Sequence, residues 1–66
     1  MNYFIVTYKT GITYGHCKGM DNDTPNQVLK AIKEKYPNAL SYAVTNSEQL
    51  MMTNVESFWA KRRNEA

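Results

Sequence analysis

Apolar and polar positions follow two different periods along this chain, and the change between them marks its elements. From Thr24 to Tyr36, Val28, Leu29, Ile32 and Tyr36 recur at helical spacing, with Asn26, Lys30, Lys33 and Glu34 on the opposite side. The segment carries its own boundaries. Thr24 suits the N-cap, Pro25 the first helical position, and Gln27 can reach back to complete a capping box. Pro37 stops the helix because the residue before a proline is pushed out of helical geometry, and Asn38 favours the turn that follows. An amphipathic helix needs a flat apolar surface to cover, and its neighbours read as the strands that supply one.

Asn2 to Lys9 is dense in aromatic and β-branched residues and predicts a strand. A turn at Thr10-Gly11, with Gly11 supplying a positive φ, returns Ile12 to Lys18 as the second strand of a hairpin. That turn sets Tyr8 opposite Thr13, Val6 opposite Gly15 and Phe4 opposite Cys17. Alternation then sorts the hairpin into two faces. Phe4, Val6, Tyr8 and Cys17 are assigned inward, because the other face, with Tyr3, Ile5, Thr7, Lys9, Ile12, Tyr14, His16 and Lys18, holds the histidine and two lysines.

Gly19 to Asp23 is a polar loop. Ala39 to Thr45 alternates again, with Leu40, Tyr42 and Val44 as its apolar row. The simplest placement sets this third strand beside the first and antiparallel to it, in the order 2-1-3. Asn46 to Gln49 reads as a turn and Leu50 to Met52 as a short edge strand. Thr53 to Glu56 resembles a second capping box, starting a helix from about Asn54 to Arg63 with Val55, Phe58 and Trp59 buried. One long helix from Ser47 competes with this reading. It is disfavoured because Thr53 and Asn54 would sit mid-helix, where such side chains compete for backbone hydrogen bonds. The expectation is a single small α+β domain over residues 1–66: a three- or four-stranded antiparallel-type sheet, ββαβ(β)α, with a central amphipathic helix and a C-terminal one.

Composition narrows the function. A chain of 66 residues buries only about 60% of the surface its unfolded form exposes, so self-association is a reasonable expectation. Cys17 has no second thiol to pair with, and no apolar leader follows Met1, which points to a reducing cytoplasm. No apolar run approaches the roughly 20 residues of a membrane span. A net charge of +2 does not by itself imply nucleic acid.

The residues offer little catalytic chemistry. His16 and Cys17 are adjacent, but neighbours on a strand point to opposite faces, so a nucleophile–base pair is not expected. Too few donors converge for a metal, and Asp21-Asn22-Asp23 lacks the glycine and terminal glutamate of a calcium loop. No cofactor motif is present.

Two features could bind a partner. One is the outward hairpin face, with Tyr3, Ile5, Lys9, Ile12, Tyr14, His16 and Lys18, unless the C-terminal helix covers it. The other is Lys61-Arg62-Arg63, although cations in a last helical turn are also favoured by the helix dipole. The expected function is a non-enzymatic accessory or regulatory protein, of the kind phages and mobile elements often encode, acting through a protein partner or as a homodimer. The alternative is nucleic-acid binding, with bases stacked on Tyr3 and Tyr14 and phosphates on Lys61, Arg62 and Arg63.

Overall fold

A computed structural model describes residues 1–65. The order of elements is β1 (Tyr3–Tyr8), β2 (Gly11–His16), α1 (Pro25–Lys35), β3 (Ser41–Thr45) and α2 (Glu48–Glu65). The three strands form an antiparallel sheet in the order β2-β1-β3. No helix among the described residues is long and apolar enough to cross a membrane.

α1 begins as its residues dictate. The Thr24 hydroxyl accepts the Gln27 N–H, and the Gln27 side chain accepts the Thr24 N–H at 2.9 Å. Val28 and Ile32 are its buried residues, packed with Val6 and Cys17; Phe4, Tyr8, Tyr36, Tyr42 and Val44 close around them. Asn38 takes the left-handed turn, at φ 66°.

The hairpin turns one residue earlier than its glycine suggests, which shifts the pairing by two. Tyr8 faces Gly11, Val6 faces Thr13 and Phe4 faces Gly15. Gly11 therefore belongs to the strand and supplies no positive φ. A shift of two residues preserves the faces, because side chains alternate with a period of two. The turn is Lys9-Thr10, and neither residue takes a positive φ, so it is not one of the primed turns that suit tight hairpins. The Arg62 guanidinium, reaching over from α2, donates to the Lys9 carbonyl and secures this connection.

Leu40 precedes β3 and is 71% exposed, so it drops out of the apolar row that Tyr42 and Val44 continue. The segment expected to be an edge strand, Leu50 to Met52, is helical, and α2 is one continuous helix. Ser47 starts it, its hydroxyl accepting the Leu50 N–H at 3.3 Å. Thr53 and Asn54 are accommodated mid-helix by bonding backward. Thr53 donates its hydroxyl to the Gln49 carbonyl at 2.8 Å, and Asn54 donates its amide to the Leu50 carbonyl at 3.0 Å.

α2 packs across the sheet face opposite α1 and reaches all three strands. Met51 and Val55 are buried in α2, and Ile5 is buried in β1. The sheet is thus covered on both sides, and Val6 and Ile5, neighbours in β1, point into the two separate interiors.

Candidate interaction surface

α2 decides what remains of the outward hairpin face. Ile5 is 5% exposed and is not available to a partner. Tyr3 and Tyr14 lie diagonally, opposite His16 and Ile5 respectively, but only Tyr14 stands free, at 42% exposure. Tyr3 is half-buried, with its ring tilted against His16 at 5.6 Å and its hydroxyl donating to Met1 Sδ at 3.4 Å. Ile12 is half-buried and helps line a groove of about 320 Å³ between α2 and the sheet, with Thr7, Ala43, Phe58 and Lys61.

The cations are scattered rather than clustered. Lys9 and Lys18 are exposed at opposite ends of the hairpin. Lys61 and Arg63 are exposed, whereas Arg62 is half-buried, lying over the Phe58 ring at 5.0 Å while it donates to Lys9. The basic run at the end of α2 therefore splits between packing and solvent.

Trp59, expected in the core, is 42% exposed. The reason is the earlier start of α2. Met51, Val55, Phe58 and Arg62 form the stripe facing the sheet, and Trp59 falls roughly 70° to one side of it at 100° per residue. Ser57 and Lys61 lie on the other flank and line the groove beside Ser41 and Ala43 of β3. Trp59 is thereby turned away from that groove. Its ring meets Phe58 edge-on at 5.1 Å.

A second concavity lies on the opposite face. α1 leans toward β3 and leaves a cleft of about 390 Å³ beside β2. Phe4 and Tyr36, stacked at 5.5 Å, and Ile32 give it apolar walls, with Cys17 beside them and Lys18 and Lys35 at its margin. Burial pushes the Cys17 thiol pKa up; the Asp21 carboxylate adds to this and Lys35 opposes it. The sequence could not show this cleft, because it depends on how α1 tilts over a strand remote in the chain.

The loop at its mouth is fastened by Asn2, a buried polar residue that sequence reasoning passed over. Its amide donates to the carbonyls of Met20 at 2.6 Å and Asp23 at 3.1 Å. His16 donates from Nε2 to the Asp21 carboxylate at 2.7 Å, and this bond lowers the pKa of Asp21. His16, with its ring against Tyr3, and Cys17, in the α1-side core, both line this cleft. Among the described residues no three His, Cys, Asp or Glu side chains gather as a metal cluster.

Compared with known protein families, curated proteins and solved structures, the chain matches none.

Proposed function

We propose that this chain is a non-enzymatic accessory module that binds another protein. The observation that carries the reading is the exposure of Tyr14 and Trp59, two large aromatics on the surface of a very small domain. Rigid aromatic rings contribute large contact area at low entropic cost, which is why they anchor interfaces. A reducing compartment suits this reading, since Cys17 has no thiol partner.

A photo-crosslinking residue in place of Trp59, compared with one in place of Asn26 on the exposed side of α1, tests it in cells. Protein adducts from the Trp59 position that are absent from the Asn26 position are expected. No adduct at either position, together with a strictly monomeric protein at high concentration, would refute the module reading. Nucleic-acid binding has weaker support, because Ile5 lies beneath α2, Tyr3 is held by His16 and Met1, and Arg62 is engaged with Lys9. An adduct destroyed by nuclease would revive it.

A further inference from the structure

The partner-facing chemistry can be specified further at β2, on the basis of the interaction-module reading. Cys17 N–H donates to the Asn2 carbonyl at 2.8 Å, which fixes the alternation of the ladder. Residues 11, 13, 15 and 17 therefore direct their backbone groups toward β1, and residues 12, 14 and 16 direct theirs outward. The outward N–H and C=O groups of Ile12 and Tyr14, and the N–H of His16, have no backbone partner among the described residues. The His16 carbonyl is taken by Lys18 N–H at 3.1 Å.

β2 has no proline and no lysine along Gly11–His16, and no strand pairs with its outer side. On the α1 face its side chains are Gly11, Thr13 and Gly15, so a strand laid alongside would meet small residues and then the cleft. That cleft combines apolar walls with two lysines at its margin.

We propose that the β2 edge takes up an extended acidic segment of a partner protein as a fourth strand. One apolar side chain of that segment enters the cleft against Phe4 and Tyr36, and flanking carboxylates meet Lys18 and Lys35. Main-chain pairing supplies affinity in this mode and the pocket supplies selectivity. Charge decides the occupant. A second copy docked antiparallel on β2 would bring its Lys9 turn beside Lys18 at both ends of the ladder, a repeated like-charge contact, whereas an acidic segment complements the same lysines.

The probe is a short labelled peptide alternating glutamate with valine, titrated against the whole protein at low salt, beside a lysine–valine peptide and a single-stranded oligonucleotide. The acidic peptide alone is expected to bind. Reversing the exposed pair, Lys18→Glu with Lys35→Glu, should weaken it by roughly tenfold or more and turn preference toward the lysine peptide. Tyr14→Pro, which removes an outward N–H without breaking a bond to β1, should also abolish binding while the circular dichroism spectrum is retained. If that variant unfolds, the lysine reversal alone carries the test. Acidic-peptide binding unchanged by the reversal overturns the proposal, as does oligonucleotide binding that depends on the same lysines. A dimer of the protein alone that Tyr14→Pro dissociates would give the edge to a second copy and overturn it too. Protein adducts at Trp59 with no acidic-peptide binding would sink this proposal and leave the module reading intact.

Discussion

Two side chains, Cys17 in the α1-side cleft and Asp21 bonded to His16, set opposite limits on stability. The Asp21 carboxylate is held below its ordinary pKa first by the hydrogen bond from His16. Its contribution is present above the ordinary value and lost as pH falls through the lowered one. The Cys17 thiol is raised by burial, so its contribution is complete below the ordinary thiol value and lost as pH rises through the raised one. Thermal midpoints should thus form a plateau across neutral pH. Asp21→Asn should flatten the acid side, and Cys17→Ala the alkaline side. An acid limb identical in Asp21→Asn and the parent protein would show that the His16 bond does not couple to folding. Alkylation gives an independent reading of Cys17: at neutral pH native protein should react far more slowly than protein in denaturant, because the thiol is both buried and kept protonated.

At the level of elements, the start of α2 separates what local residues can specify from what they cannot. α1 was legible because Thr24, Pro25 and Gln27 act only on one another and on adjacent backbone. The strands were legible through alternation, and a one-residue error in the hairpin turn, which shifts the pairing by two, left the faces intact. Thr53 and Glu56 misled because a capping box and a mid-helix threonine look alike in sequence; only the bonds back to Gln49 and Leu50 tell them apart. The candidate surface inherited this error. Placing the helix start at Asn54 buried Trp59, and it left open how much of the Ile5 face was covered. Substitution distinguishes the two starts directly. Ser47→Ala removes the N-cap and should cost about 1 kcal/mol, which in a domain of this size lowers the thermal midpoint by roughly 4–8 °C. Thr53→Ala replaces a poor helix former with the best one, and should leave the midpoint unchanged or raise it. A larger loss from Thr53→Ala than from Ser47→Ala would restore the later start.

For the molecule as a whole, the question is whether two thin interiors on either side of one sheet unfold together. Each helix covers one face, and the only layer shared between them is the sheet, with Val6 turned to α1 and Ile5 turned to α2. At 0.05–0.15 kcal/mol per residue, a chain of 66 residues has roughly 3–10 kcal/mol of stability in total. Neither half has a core large enough to stand alone on that scale. Ile5→Ala removes a buried isoleucine at a cost of about 2–5 kcal/mol, roughly a fifth of the whole even at the favourable end. Because β1 pairs with both edge strands, the damage should spread to the α1 side rather than release α2 by itself. Trp59 lies only on α2, so its fluorescence follows that helix, whereas far-ultraviolet circular dichroism follows both helices. The two signals should give coincident urea transitions in the parent protein and should shift to lower urea together in Ile5→Ala. If fluorescence moves ahead of circular dichroism, α2 is a separately unfolding unit, and access to the Ile5 face of the sheet is set by that helix.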